Sequence, residues 1–410
     1  MGIFGLLGER LAHSFSPFIH AELCDYQYLL YEKNPDELDS FFKNSGFDGI
    51  NVTIPYKKAV VPYCKSLSET AQIIGSVNTI IRRPDGSFHG DNTDYYGLLY
   101  QLKKAKVDFS CGKTIVLGSG GSSLTVQAVL ADMNALEAVV ISRNGVNNYS
   151  NIHMHHDAIC IINTTPVGMY PANGLSPIED LKPFKNCRAV IDIIFNPART
   201  ELMFQAEELK IPAQNGLAML VAQAKKAAEI FTNTSIDDSK IEEIITKIES
   251  KTKNIILIGM PGCGKTSIGK ALAAKTGRNF ADSDNLITDT SGRSIPDIFN
   301  NDGEDAFRKL ETDALKTLCK QSGLVIATGG GVVMRPENKN IIRQNGIVVY
   351  LDRDIADLPV TNRPVSMRDG ISALAAIRQP LYRQWSDYIL PVRDIDIAAE
   401  SLCQMFFKGV

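Results

Sequence analysis

The sequence predicts an α/β protein throughout, and three observations carry that expectation. Residues 255–258 form a continuous isoleucine and leucine run of the kind that makes a fully buried strand, and it opens into a glycine loop, Gly259-Met-Pro-Gly-Cys-Gly-Lys-Thr266, ahead of a helix. The strand-like run Lys113–Leu117 repeats the arrangement with Gly118-Ser-Gly-Gly121-Ser-Ser123 and a helix expected over 124–133. The chain also has 410 residues, 44% of them hydrophobic and 22% charged. That length suits two or three domains of about 150 residues each.

Composition narrows the function classes. The net charge is -3, and the chain carries no basic run and no apolar stretch long enough to span a bilayer, so neither nucleic acid nor membrane is expected as a partner. A strand-like run begins at Ile3, which argues against a signal peptide, and Leu6 stands where a myristoylation signal would need Ser or Thr. The 8 cysteines are scattered without metal-ligand spacing, which points to free thiols in a reducing cytoplasm and away from zinc.

Taken in order, residues 3–7 read as a strand, followed by a loop with Gly8, His13, Ser14, Phe15, Ser16 and Pro17, and then a helix over 18–24 with proline in its first turn. Two hydroxyls two residues apart suit a carboxylate, and equally suit helix capping. A second strand, 47–52, runs into Asn51-Val-Thr-Ile-Pro-Tyr-Lys57, which places Lys57 in the first turn of a helix beyond a strand end. Gly75-Ser-Val-Asn-Thr79, a hairpin at Asp85-Gly86, and Gly90-Asp-Asn-Thr-Asp94-Tyr-Tyr-Gly97 follow.

In this order, Ser14-Phe-Ser16, Asn51–Lys57, Gly75–Ile80 and Gly90–Gly97 resemble the substrate-binding domain of the shikimate dehydrogenase family. The resemblance implies Ser14, Ser16, Thr53, Asn78 and Gln223 on the substrate, with Lys57 and Asp94 as the catalytic pair. The chemistry of that pair stands on its own. A ketone reduced by hydride needs a proton at its oxygen, and a lysine held charged by a carboxylate supplies one.

The glycine turn after residue 117 reads as the phosphate loop of a Rossmann-like domain, with Gly118, Gly120, Gly121 and Ser122 at the cofactor. The next strand, 138–141, ends in Ser142-Arg143-Asn144, and a guanidinium there can hold a ribose 2′-phosphate, so NADP(H) is expected over NAD. Asn163-Thr-Thr-Pro-Val-Gly-Met169 and Asp192-Ile-Ile-Phe-Asn-Pro197 read as strand ends facing the cofactor. Two departures from the family stand out: the stretch between Arg143 and Asn163 is short, and Phe195 replaces a common tyrosine. Gly216-Leu-Ala-Met-Leu-Val-Ala-Gln223 then starts a helix that, by resemblance, returns to the first domain.

Residues 232–253 turn polar around one amphipathic segment, 241–248, and read as a partly helical linker. Beyond it, the loop from Gly259 through Gly262 and Gly264 to Lys265 and Thr266 fits G-x-x-x-x-G-K-[ST] at every position. Glycine N–H groups and a helix dipole face an anion there, Lys265 adds a charge, and the Thr266 hydroxyl can ligate Mg²⁺.

Phe280-Ala-Asp282-Ser-Asp284, Gly303-Glu-Asp-Ala-Phe-Arg308-Lys-Leu-Glu311, Ile326-Ala-Thr-Gly-Gly-Gly331, Arg363-Pro364 and Arg378-Gln-Pro-Leu-Tyr382 complete a series that resembles the shikimate kinase family. The resemblance implies an ATP site and a nucleoside-monophosphate-kinase-like P-loop domain. It also implies Asp282 at the Mg²⁺, Asp284 as base, and Arg308 and Arg378 on the substrate carboxylate with Glu311, Gly330 and Gly331 assisting. Arg363 is implied in a lid, neutralising the transferring phosphoryl group.

Together the two resemblances imply a fusion that reduces 3-dehydroshikimate with NADPH and phosphorylates the resulting shikimate with MgATP. The implied divisions are 1–98 with 216–235 for the first substrate domain, 99–215 for a shortened NADP domain, 236–252 for the linker and 253–410 for the kinase. The alternative keeps the kinase and gives the first half a quinate-type substrate, or makes it an inactive metabolite sensor. The residues leave homo-oligomerisation open.

Overall fold

The computed structural model describes residues 2–11, 14–44, 46–358 and 370–407. The chain divides into two compact units: Met1–Gly168, Leu175–Phe195 and Leu202–Thr246 in the first; Met169–Gly174, Asn196–Glu201 and Lys247–Val410 in the second.

The first unit holds two sheets. One is mixed, built from β1 (Ile3–Gly8), β2 (Gln27–Glu32), β3 (Gly49–Val52), β4 (Ser66–Leu67), β5 (Thr79–Arg82) and β6 (Phe88–Asp91) in the order β2-β1-β3-β5-β6-β4. β1 runs parallel to β2 and β3, and β5 and β6 form the antiparallel hairpin expected at Asp85-Gly86. Gly86 turns that hairpin with φ of 82°, a conformation that glycine adopts at little cost. Helices α1 (Ser16–Leu23), α2 (Leu38–Lys43), α3 (Glu69–Ile74) and α4 (Asp94–Lys104) accompany it.

The second sheet is wholly parallel: β7 (Lys113–Leu117), β8 (Glu137–Ile141), β9 (Cys160–Asn163), β10 (Ala189–Asp192) and β11 (Ala213–Gln214), in the order β11-β10-β9-β7-β8. Its β7 residues Ile115, Val116 and Leu117 are fully buried, because layers on both faces cover a parallel sheet. Helix α5 (Gly121–Asp132) follows β7 and starts three residues earlier than expected, and α6 (Glu201–Glu208) and α7 (Leu217–Thr232) come after β10 and β11. Between β8 and β9 the only regular element among the described residues is a 3₁₀ turn, Ile152–His155.

The polar stretch after α7 forms a continuous helix, α8 (Ser239–Thr252), with Ile241, Ile244 and Ile248 buried on one stripe. Its start is fastened within the first unit: Asp238 takes hydrogen bonds from Tyr96 and Lys225, and Glu242 from Tyr100 and Lys104.

The second unit is built on a parallel sheet of β12 (Asn254–Ile258), β13 (Phe280–Asp282), β14 (Val325–Ala327), β15 (Gly346–Asp352) and β16 (Tyr388–Pro391), ordered β13-β14-β12-β15-β16. Every residue of β12 is buried, as its unbroken apolar run requires in the middle of a parallel sheet. Helices α9 (Lys265–Thr276), α10 (Ser283–Ser291), α11 (Ile295–Cys319), α12 (Asn338–Arg343), α13 (Ile371–Trp385) and α14 (Ile395–Phe407) surround it. α11 breaks at Gly303, whose φ of 84° lies outside the helical region. Within this unit, Gln344 and Asn345 hold the two short excursions through bonds to Asn173, Arg199 and Ala198. All 8 cysteines are free thiols.

Candidate functional site

Among the described residues each unit carries a cavity at the carboxyl ends of its central parallel strands, and the first is built where β1 and β3 end and the antiparallel β5 begins. This cavity of about 500 Å³ is lined by Ser14, Ser16, Thr53, Lys57, Asn78 and Gln223, all six expected from the sequence. Their positions in sequence are far apart, and the fold assembles them. The Ser14 hydroxyl accepts a hydrogen bond from the Ser16 backbone N–H at 3.2 Å, so it turns the chain into α1 while its own O–H stays available to the cavity.

Lys57 does not occupy the first turn of a helix. It lies in a run of turns over 54–60 that passes into a 3₁₀ turn, Val61–Tyr63. Pro55 and Pro62 lack the N–H groups a regular helix would use there.

Lys57 Nζ donates to Asp94 Oδ2 at 2.6 Å, and Asp94 sits buried at the start of α4. Asn78 Nδ2 donates both to Asp94 Oδ1 at 3.0 Å and to Gln223 Oε1 at 3.1 Å, tying β5, α4 and α7 to one point. Asn78 Oδ1 in turn accepts from the Thr93 N–H at 2.7 Å, which fixes the amide orientation. Sequence reasoning did not name Arg10, His20 or Asn51 as lining residues, and no local motif marks Arg10. His20 stacks on Tyr28 at 4.0 Å, and burial pushes its pKa down to about 3, so it faces the cavity uncharged. Phe195 lines the same wall, its ring edge-on to Phe15 at 6.0 Å.

The second sheet places the glycine turn at the end of β7. Gly118 has φ of 101°, and a Cβ there would stand 2.9 Å from Thr164 Oγ1. Gly120 and Gly121 open α5 with nothing within 4 Å of where a Cβ would point, and Ser122 follows on the first turn. That leaves backbone N–H groups accessible to an anion. β7 and β8 are in register at Leu117 and Ile141, and the Gly118 N–H donates to the Ile141 carbonyl at 2.8 Å. Arg143 thus emerges, exposed, two residues beyond the strand beside the glycine turn. The donor set fits a dinucleotide with a 2′-phosphate.

In the second unit a cavity of about 640 Å³ gathers Gly262, Gly264, Lys265, Thr266, Asp282, Asp284, Arg308, Glu311, Gly330, Gly331 and Arg378. Gly259, with φ of 146°, sits at the base of the loop behind them. Lys265 Nζ lies folded onto the carbonyls of Gly259 and Met260 at 2.9 and 3.1 Å. Thr266 Oγ1 donates to Asp282 Oδ2 at 2.8 Å, so two hard oxygen donors stand together beside the loop. They fit Mg²⁺, which completes its shell with phosphate and water oxygens. Among the described residues no group of three or more His, Cys, Asp or Glu side chains forms a metal cage, as a Mg²⁺ site shared with phosphates does not need one.

Asp284 is the perturbed group of this cavity. Burial, then the neighbouring Glu311 and Asp282 carboxylates, push its pKa up to about 6 against the pull of Lys265 and Arg308. Burial raises the Glu311 carboxyl as well. Glu311 Oε2 accepts from Arg308 Nη1 at 2.8 Å, on one face of α11 as the spacing requires. Arg378 Nη1 donates to the Gly330 carbonyl at 3.1 Å, and the Tyr382 hydroxyl bonds the same oxygen. Asp284 Oδ1, Glu311 Oε1, Arg308 Nε and Arg378 Nε are buried without a hydrogen-bond partner. Buried polar atoms in that state ask for a ligand. Phe299 and Phe307 add an apolar wall, which read from the sequence only as helix periodicity. Arg363 lies outside the described residues.

Comparison with known proteins places both units. A shikimate dehydrogenase (NADP(+)) of Clostridium perfringens strain SM101 is 35% identical over 272 residues, which cover 61% of this chain and 100% of that one. The chain belongs to the shikimate dehydrogenase family. The model of the shikimate dehydrogenase substrate-binding domain matches residues 6–80, and the shikimate kinase model matches residues 261–404, so a shikimate kinase domain forms the C-terminal part. Among solved structures, a chorismate mutase/shikimate 5-dehydrogenase fusion from Clostridium acetobutylicum superposes with a TM-score of 0.58 at 35% identity, covering 61% of this chain and 98% of that chain. Shikimate dehydrogenase 1 from Peptoclostridium difficile follows with a TM-score of 0.55 at 34% identity, covering 60% and 98%. Phe195, at the position where the resemblance implied a tyrosine, brings an apolar ring to the first unit's cavity.

Proposed function

We propose that the chain is a bifunctional enzyme of the shikimate pathway. It reduces 3-dehydroshikimate to shikimate with NADPH in the first unit and phosphorylates shikimate with MgATP in the second. The observation that carries this reading is that each unit sets one acid–base group in its cavity wall: Lys57 bonded to Asp94 at 2.6 Å, and Asp284 with its pKa pushed up to about 6. The reading takes the protein as a cytoplasmic enzyme of small molecules. No described helix is long and apolar enough to cross a membrane, and the net charge is -3.

Gly118, Gly120, Gly121, Ser122 and Arg143 would hold NADPH, which would supply the hydride. Lys57 Nζ gives its proton to the ketone oxygen as negative charge gathers there, and the product is the alcohol. Asp94 keeps the lysine charged before the transfer and aims it, while Asn78 locks the carboxylate from the other side. Ser14, Ser16, Thr53 and Gln223 read the ring's oxygens and carboxylate.

In the second unit MgATP supplies the phosphoryl group to the shikimate 3-hydroxyl. Asp284 takes that hydroxyl's proton, and a pKa near the working pH suits a base. Arg308 and Arg378 hold the carboxylate, with Glu311 bracing Arg308 and the turn at Gly330 and Gly331 leaving room for it. Lys265, bonded to the carbonyls of Gly259 and Met260 at 2.9 and 3.1 Å, would exchange those partners for phosphate oxygens. Thr266 and Asp282 hold the metal, and Arg363 is assigned to the transferring group.

The test is one cuvette. Purified protein with 3-dehydroshikimate and NADPH should lose absorbance at the reduced nicotinamide band, and later addition of MgATP should release ADP with no shikimate supplied. ADP appearing only with added shikimate would refute the reductive half of the reading.

A further inference from the structure

The reductive cavity contains a cation that the reading above does not use. Arg10 lies, exposed, on the loop between β1 and α1 that also carries Ser14 and leads into Ser16 at the start of α1, and it lines the cavity with both serines. The Leu11 N–H donates to Glu32 Oε1 at 2.6 Å, and the Leu11 side chain is buried, so the backbone next to Arg10 is anchored to β2. The guanidinium has no hydrogen-bond or ion-pair partner among the described residues.

Lys57 is committed to Asp94 at 2.6 Å, which leaves that pair neutral overall. His20 is uncharged at neutral pH, its pKa pushed down to about 3 by burial. Phe15 and Phe195 add only aromatic edges on the wall near the two serines. An anionic substrate entering this cavity therefore meets one uncompensated positive charge among the described lining residues, and it is Arg10. A carboxylate bound by serine hydroxyls alone would keep its charge unneutralised, whereas a guanidinium adds charge-assisted bonds in a planar fork.

We propose that Arg10 binds the carboxylate of the substrate together with Ser14 and Ser16, and so sets the preference of the reductive site for acids. The inference rests on the proposed reduction of 3-dehydroshikimate. Arg10 acts here as a substrate-binding and specificity residue, with a role different from that of the proton-donating Lys57–Asp94 pair.

The experiment compares 3-dehydroshikimate with its uncharged methyl ester in the wild type, Arg10→Gln and Arg10→Lys. For Arg10→Gln the KM for the acid should rise about 10-fold, the scale of one hydrogen bond to a charged group, with kcat little changed. KM for the ester should stay where it was, and Arg10→Lys should recover part of the loss. ADP formation from supplied shikimate, a reaction of the other unit, checks that each variant is folded there. Unchanged discrimination between acid and ester in Arg10→Gln overturns the proposal. So does an equal loss on both substrates, which would make Arg10 structural. A wild type that reduces neither compound refutes the functional reading itself, and the assignment of Arg10 falls with it.

Discussion

Replacing Asp284 with asparagine separates stability from catalysis in one residue. The carboxyl rises from an ordinary 3.8 to about 6 in the folded chain, with burial the leading cause. That is a factor of about 10² in proton affinity, worth at most about 3 kcal/mol. The sign follows from the direction of the shift. A carboxyl whose folded pKa is raised penalises the fold once ionised, so the penalty is absent below about pH 4, grows between about 4 and 6, and is complete above about 6. Asp284→Asn should therefore stabilise the second unit by about 1–3 kcal/mol at pH 7.5 and by much less at pH 4. The same change removes the proposed base and should slow phosphorylation by about 10²–10⁴-fold, leaving NADPH oxidation intact.

The chain's 1 tryptophan, Trp385, lies buried in the second unit, so its emission during denaturant unfolding follows that unit without the other. Wild-type kcat/KM for shikimate at low MgATP should fall about tenfold per pH unit below about 6. An equal stability change at both pH values, or a variant that keeps a tenth of the kinase rate, would refute the reasoning.

Lys57→Met should lower the rate of 3-dehydroshikimate reduction by about 10²–10⁴-fold with the KM for NADPH nearly unchanged, read from the nicotinamide absorbance. Arg143→Gln should raise the KM for NADPH about tenfold and leave the KM for NADH as it was, because the proposed role of Arg143 is confined to the 2′-phosphate. Gly331→Ala sets a Cβ 2.0 Å from Arg308 Nη1, and since the guanidinium is the movable end of a long side chain it should shift without unfolding the unit. The KM for shikimate should then rise about 10- to 100-fold with the KM for ATP spared, which steady-state kinetics on ADP release would show.

Much of the architecture was legible locally. The strands 255–258 and 113–117 stood out as apolar runs broken by glycine turns, and both are fully or largely buried parallel strands. Arg308 and Glu311 were readable as a pair because helical spacing alone brings them together, and they bond at 2.8 Å. Lys57 was legible as a residue and not as a conformation. The sequence pointed to a helix start, whereas the two prolines around it leave a run of turns. Arg10 had no signal, since a single arginine in a loop becomes a cavity residue only once β1, β3 and α7 enclose the space beside it.

Glycine loops, strand runs and the chemical type of each site residue are properties of short segments, because backbone N–H geometry and side-chain reach act over a few residues, and these the amino-acid order determined by itself. The bond from Asn78 to Gln223 joins positions 145 apart, and the raised pKa of Asp284 depends on Glu311, Asp282 and the burial around them. Desolvation and the pairing of charges are set by what the rest of the chain brings within a few ångströms, so only the tertiary structure decided which cations are paired, which are not and which carboxylate has its pKa raised.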